Sequence, residues 1–443
     1  MEKVDTLINA RWVIPVTPDC APHRDHSIAI HHGRIVALLP AAEAALRYEA
    51  RETLERPDHA LLPGFVNSHT HSPMSLLRGL ADDLPLMEWL KQHIWPVEQR
   101  WVGPEFVADG SELAIAEMLR GGTTCFNDMY FFPDVTARTA ARLGMRAAIG
   151  LIVLDTPSAW AETPAEYLHK GLALSDDYRD HPLISTAFAP HAPYTVGDET
   201  LIKVRQLSDE LELPIHTHLH ETADEVSASE AAFGARPLAR FERLGLLSPL
   251  LQAVHMTQLN DADIDLVGRT GISVIHAPES NMKLASGTCP VARLTEAGIN
   301  VALGTDGAAS NNDLDMLGEM RSASLLAKHV AGSARAMDAR STLRMATING
   351  ANALGLGDSI GSLEPGKWAD IACIDLARVN TQPVYDPVAQ IVYAAQRDQV
   401  TDVWVGGRQL LTDGRLTRID VDDLLARTRA WRPRISSDAE API

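Results

Sequence analysis

Five apolar runs in this 443-residue chain each end in a residue that can bind a metal or carry a proton. The first, Leu61-Leu-Pro-Gly-Phe-Val-Asn-Ser-His-Thr-His71, closes on His69 and His71. Side chains alternate along a strand, so a His-x-His pair presents two imidazoles to the same side. Two imidazoles so placed are half of a zinc or iron site. The other runs are Pro214-Ile-His-Thr-His-Leu-His-Glu221, Leu251-Gln-Ala-Val-His255, Ile272-Ser-Val-Ile-His276 and Ile299-Asn-Val-Ala-Leu-Gly-Thr-Asp306. Among 17 histidines, chance accounts for one such pair. It does not account for a series of separate strand ends.

A catalytic zinc site takes nitrogen, sulfur or carboxylate ligands and keeps one position for water. His69, His71, one histidine of the 216–220 cluster and Asp306 make such a set. Within the cluster His218 is preferred: it precedes Glu221 by three, so one ligates while the other reaches into the site. His220 is expected to face the barrel wall. Glu221 is assigned acid-base work, taking a proton from the metal's water and delivering it to a ring nitrogen or leaving group. His255 would orient the attacking hydroxide or polarise the substrate, and Asp306 would accept a second proton. His276 is left between supporting the site and touching substrate.

These residues need a scaffold in which strand ends converge. Short apolar runs separated by amphipathic stretches read as buried parallel strands alternating with helices. Eight candidate strands run Leu62 to His69, Thr123 to Asn127, Arg146 to Val153, Ile184 to Ala189, Pro214 to His220, Gln252 to Met256, Gly271 to His276 and Ile299 to Thr305. Helical patterns at Glu105 to Arg120, Asp134 to Leu143, Glu199 to Glu210 and Asp315 to Val330 lie between them. The expected fold is an α/β (β/α)8 TIM-like barrel over 61–364, whose C-terminal strand ends carry the catalytic residues. Strand-like segments at both chain ends, including a hairpin with His32-Gly33 at its bend, are expected to join as one small β-sandwich from 1–60 and 365–425. A C-terminal tail, 426–443, is expected to fray from Arg432 onward.

Composition narrows the function classes. With 58 acids against 39 bases the formal charge is −19, which argues against binding a phosphate backbone. No signal-like opening or long apolar stretch is seen, so a cytoplasmic protein without membrane association is expected. Cys20, Cys125, Cys289 and Cys373 are scattered without a C-x-x-C pair, which excludes the cytidine-deaminase type of zinc site. The expected partner is a small-molecule substrate and not nucleic acid; association into a homo-oligomer is left open.

The chain resembles the amidohydrolase superfamily and, within it, the methylthioadenosine/S-adenosylhomocysteine deaminase group. The resemblance runs through Pro63-Gly-Phe-Val-Asn-Ser-His-Thr-His71, Leu84-Pro-Leu-Met-Glu-Trp-Leu90, His276-Ala-Pro-Glu-Ser-Asn-Met-Lys-Leu-Ala-Ser-Gly287, Leu303-Gly-Thr-Asp-Gly307 and Glu364-Pro-Gly-Lys-Trp-Ala-Asp370. It implies metal ligation by His69, His71, His218 and Asp306, with Glu221 and His255 as the catalytic acid-base pair. It also implies that Trp89, Glu98 and His191 line the substrate pocket, Glu98 bonding the ribose hydroxyls. The implied reaction is hydrolytic deamination of a 5'-modified adenosine, methylthioadenosine foremost, S-adenosylhomocysteine or adenosine next, to the inosine analogue and ammonia. Deaminases or chlorohydrolases of guanine, pterins or triazines are the nearest alternative; a scaffold that has lost its ligands is a remote one, since every expected ligand is present.

Two departures refine this picture. Binuclear relatives bridge their metals with a lysine after strand four, where this chain has Ala189-Pro190-His191. One Zn2+ per chain is therefore expected, with iron fitting the same donors. Thr156 to Lys170 contains no arginine, where relatives can use arginines to hold the homocysteine tail.

Overall fold

The computed structural model describes residues 1–439. Eight parallel strands, β1 Phe65–Thr70, β2 Thr123–Met129, β3 Arg146–Val153, β4 Ile184–Pro190, β5 Ile215–Leu219, β6 Leu251–His255, β7 Ser273–His276 and β8 Val301–Leu303, pair in chain order. Nearly every residue in them is buried, as expected when helices cover one face of each strand and the barrel interior fills the other.

The barrel closes through one backbone bond and a side-chain clasp at Asn67. Asp306 N–H donates to His69 O at 3.0 Å, Thr305 N–H donates to Asn67 Oδ1 at 2.9 Å and Asn67 Nδ2 donates to Thr305 Oγ1 at 2.8 Å. Gly304 permits this approach, because a Cβ there would lie 2.7 Å from His69 N. β8 is accordingly shorter than the expected Ile299 to Thr305: its last residues bond across the seam through Asn67.

The expected first strand also divides. Tyr48–Pro63 belongs to a second sheet and Phe65 opens the barrel. Gly64 sits at the crossing, where a Cβ would meet Thr124 Cγ2 at 2.0 Å. An apolar run does not reveal where it changes partners.

That second sheet draws Glu2–Val13, His23–His31, Arg34–Pro40 and Tyr48–Pro63 from the front of the chain. Ile371–Asp375, Val400–Val405, Arg408–Thr412 and Arg415–Leu416 come from the back. The halves join where Tyr48–Pro63 runs antiparallel to Ile371–Asp375. The two layers of the expected sandwich are parts of one continuous sheet, curled so that Ile8, Ile30 and Ile35 share a core with Ile371 and Trp404. A buried ion pair fixes it to the barrel: Arg146 at the start of β3 donates to Asp370 at 2.7 and 3.1 Å, and Gly406 N–H reaches the same carboxylate at 2.7 Å.

The C-terminal segment does not fray from Arg432 as far as Ala439; 440–443 lie outside the described residues. Val421–Ala439 is helical, and its Trp431 and Ile435 are buried against the helix Pro104–Arg120 and its surroundings. Sparse apolar residues still anchor a helix when they fall on one face. All four cysteines are buried and free, and no helix among the described residues is long and apolar enough to cross a membrane.

If Asn67 closes the barrel, Asn67→Ala leaves the buried Thr305 N–H without its acceptor. The variant should lose about 1–3 kcal/mol or more, read as a lower urea midpoint; an unchanged midpoint would show that the seam holds without it.

Candidate metal centre and cavity

The ends of β1, β5 and β6 and the turn after β8 bring His69, His71, His218, His255 and Asp306 to one point. His69 Nε2 and His71 Nε2 each lie 3.3 Å from Asp306 Oδ1, and His218 Nε2 lies 3.2 Å from His69 Nε2. Bonds of 2.0–2.1 Å at tetrahedral angles would put neighbouring ligand atoms about 3.3 Å apart.

The opposite ring nitrogens decide whether a cation fits. His71 Nδ1 bonds Met129 O at 2.5 Å and His218 Nδ1 bonds His191 O at 2.8 Å. A carbonyl only accepts, so each Nδ1 carries the proton and each Nε2 is a bare lone pair. Lone pairs facing one another and a carboxylate in a buried site repel unless a cation lies between them. Burial lowers His69 to about 4 and His255 to about 4, and drives His218 well below its ordinary value, so these imidazoles are neutral and able to ligate.

His69 is held from beneath by a residue to which the sequence assigned no role. Its Nδ1 lies 2.8 Å from His216 Nε2, and His216 Nδ1 lies 3.0 Å from Gln252 Oε1. Gln252 Nε2 in turn donates to Ala353 O at 2.8 Å. His216 and His218 share a strand face, one deeper and one at the rim. His220 would share it too, but its φ of +53° turns the chain. Its ring is taken up by Leu238 N–H at 3.0 Å and Gln258 O at 3.2 Å, in the barrel wall as expected.

Asp306 and His255 also have left-handed backbone, with φ of +65° and +76°. Such strain persists where neighbours over-determine it. Gly307 N–H donates to Asp306 Oδ1 at 2.8 Å and Ser280 Oγ donates to Oδ2 at 2.7 Å. Asn281 Nδ2 donates to His255 Nδ1 at 3.0 Å, which leaves the proton of that ring on Nε2.

Glu221 Oε2 is 3.8 Å from His255 Nε2. Burial, with Asp306 adding to it, pushes the Glu221 carboxyl up to about 8 before the charge of any cation is counted. Glu221 does not cap the helix that follows it. Thr222 is the N-cap of Ala223–Phe233, accepting from Glu225 N. Glu225 folds back to accept His220 N–H at 2.9 Å and Glu221 N–H at 2.7 Å. Thr-x-x-Glu at a helix start was a readable signal for that brace.

Above the centre lies a cavity of about 1220 Å³. Its lining includes His71, His218, Glu221, His255 and Asp306 together with Trp89, Glu98 and His191. Trp89 is buried. Glu98 accepts a hydrogen bond from Tyr130 OH at 2.6 Å, and burial pushes its carboxyl up to about 7 against that bond. His191 Nδ1 lies 3.0 Å from Thr195 Oγ1, so Nε2 is the nitrogen available to a ligand. His276 is buried but does not line the cavity. No sequence signal pointed to Tyr130, and the run that carries Ser280 and Asn281 gave them no role, because each acts through a contact made between distant segments.

The model of the amidohydrolase family matches residues 60–410. A 5-methylthioadenosine/S-adenosylhomocysteine deaminase of Teredinibacter turnerae is 50% identical over 98% of this chain and 98% of its own length. One from Saccharophagus degradans is 48% identical over 98% and 97%. The crystal structure of an adenosine deaminase from Xanthomonas campestris with bound zinc superposes with a TM-score of 0.98 at 56% identity, covering 98% of this chain and 99% of that one.

His216→Ala would free the His69 ring to rotate. Zinc affinity, measured by chelator competition, should fall about 10- to 100-fold; unchanged affinity would show that His216 does not hold His69 for a metal.

Proposed function

The chain belongs to the amidohydrolase family, and we propose that it hydrolytically deaminates the adenine ring of a 5'-modified adenosine, 5'-methylthioadenosine foremost, to the inosine analogue and ammonia. The enzymes of this family are metal-dependent, and we assign one zinc per chain to His69, His71, His218 and Asp306, the same donors suiting iron. When bound, the metal acidifies a water and polarises the bond under attack.

Glu221 carries the assignment: it is a carboxyl lifted toward neutrality by burial, beside the donor set and at the cavity floor. Such a group accepts a proton from water and returns it at similar pH. It delivers that proton to a purine ring nitrogen as oxygen adds to the amino-bearing carbon. His255, with its proton held on Nε2 by Asn281, donates toward the incoming oxygen. Asp306 takes the second water proton and returns it to the amino group, which leaves as ammonia. Glu225 keeps Glu221 in place throughout through its two backbone bonds.

Glu98 on its short helix supplies a carboxylate able to accept from two adjacent hydroxyls, which suits a ribose and has no counterpart in a free base or a triazine. His191 and Trp89 complete the nucleoside pocket. The wall formed by Asp155 to Ala159 lines the cavity without a cation. Arg240 also lines it, but its guanidinium is committed to Asp198, Pro193 O and Val196 O at 2.7, 2.6 and 3.1 Å. A neutral methylthio group suits this wall better than a zwitterionic homocysteine tail.

Glu221→Gln keeps size and polarity but moves no proton. It should retain near one equivalent of metal by elemental analysis and lose on the order of 10²-fold or more in kcat; a metal-replete variant turning over at the normal rate would sink the assignment. Glu98→Ala should lower kcat/KM for methylthioadenosine by roughly 10- to 100-fold and narrow the preference over the 2'-deoxy analogue. Equal losses with both nucleosides would mean that Glu98 does not read the 2' hydroxyl.

A further inference from the structure

The segment that carries Trp89 and Glu98 has little to fix it from within. It is one helical run in three stretches, Leu86–Trp89, Leu90–Ile94 and Trp95–Trp101, that follow one another without a break. The middle piece is a π turn, and Pro96 removes a backbone donor from the next. A single helix of about four turns with a π turn inside it is marginal in water by itself, and the segment pairs with no strand. Its position over the barrel mouth must come from packing.

On the cavity side that packing is Trp89 and Ile94 with Tyr130. Val102 also lines the cavity, and on the outer side the same cluster continues through Phe106 to Trp431 and Ile435 of the C-terminal helix. The Trp431 ring meets Phe106 edge-on at 5.3 Å and 82°, and Trp101 at 6.4 Å and 85°. These are favourable aromatic geometries. Trp431 Nε1 donates to Asp109 Oδ2 at 2.9 Å, and Arg427 pairs with the same carboxylate. The Arg434 guanidinium lies over Trp431 at 3.8 Å and over Trp101 at 5.2 Å. Trp101 falls three residues after Glu98, just under one turn along the same helix, so a shift of Trp101 tilts Glu98 away from Tyr130.

We propose that Trp431, on the C-terminal helix Val421–Ala439, is a positioning residue that holds the segment Leu86–Trp101 over the barrel mouth and thereby sets how tightly the nucleoside's sugar is bound. The sugar-binding part rests on the role assigned to Glu98 above. The helix lies outside the barrel strands and the second sheet, and packs mainly on Pro104–Arg120 with a smaller contact to Ser72–Leu77. Its effect should therefore appear in binding and not in chemistry.

The test compares full-length Trp431→Ala and Trp431→Phe with the unaltered protein by hydrogen-exchange mass spectrometry, metal content and steady-state kinetics on methylthioadenosine. In Trp431→Ala, exchange across Leu86–Trp101 should quicken on the order of 10-fold, while barrel-strand peptides and metal content stay unchanged. KM should rise about 10-fold, with kcat within about twofold. Trp431→Phe keeps the ring contacts and loses only the bond to Asp109, so it should lie close to the unaltered protein. Adding Trp431→Ala to Glu98→Ala should raise KM little further, because both act through one group. Exchange quickened throughout the barrel, with metal lost, would overturn the proposal in favour of general destabilisation. An unchanged KM, or a phenylalanine variant as impaired as the alanine one, would overturn it too. A Glu98→Ala protein with normal kinetics beside an impaired Trp431→Ala protein would instead defeat the sugar-reading role of Glu98.

Discussion

Three imidazole lone pairs and a carboxylate aimed at one another in a dry site are an arrangement that a protein does not hold without reason. Each group alone would prefer water or a donor, yet His71 and His218 have their only protons drawn away by Met129 O and His191 O. A divalent cation resolves the conflict. Much of the surrounding architecture serves to keep the donors converged: the seam closed by Asn67, the missing side chain at Gly304, and the column from His69 through His216 to Gln252.

The same convergence bears on the chemistry proposed. Burial that keeps the imidazoles neutral also lifts Glu221 toward neutral pH, so one buried environment prepares both the proposed metal ligands and the proposed proton carrier. Left-handed backbone at His220, His255 and Asp306 turns each chain out of its strand where the side chain must be redirected. That strain is offset by hydrogen bonds from Ser280 and Gly307 at Asp306, and by the backbone bonds of the His220 turn to Glu225 and Thr257.

Substrate selection is built from different material. The metal centre stands on rigid strands, whereas the groups proposed to read the nucleoside stand on loops and short helices above them. Loops carry specificity well only when something fixes them. Here Arg240 ties down the chain after β4 near His191, and an aromatic cluster reaching to the last helix backs the segment of Trp89 and Glu98. The cavity is wider than one nucleoside needs, and its outer wall lacks a free guanidinium among the described residues. These features frame the proposed preference for a small neutral 5' group.

The order of barrel strands and the identity of the residues at their ends were legible in the sequence, because both are local. Short apolar runs between turn residues mark each buried strand, and a parallel barrel delivers its strand ends to one face whatever lies between them. His220 could be set in the wall, but His216 gave no sign that it would hold His69, since two residues on one strand face look alike until the partner strand is placed. The split of the run at Gly64, the joining of both layers of the terminal domain into one continuous sheet, and the helix where a frayed tail was expected were decided by tertiary structure alone. Each depends on a partner far away in the chain: Thr124 for Gly64, Ile371–Asp375 for the front of the sheet, and Asp109 with Phe106 for Trp431. Composition and periodicity record what a segment will bury, and only the folded chain determines against what.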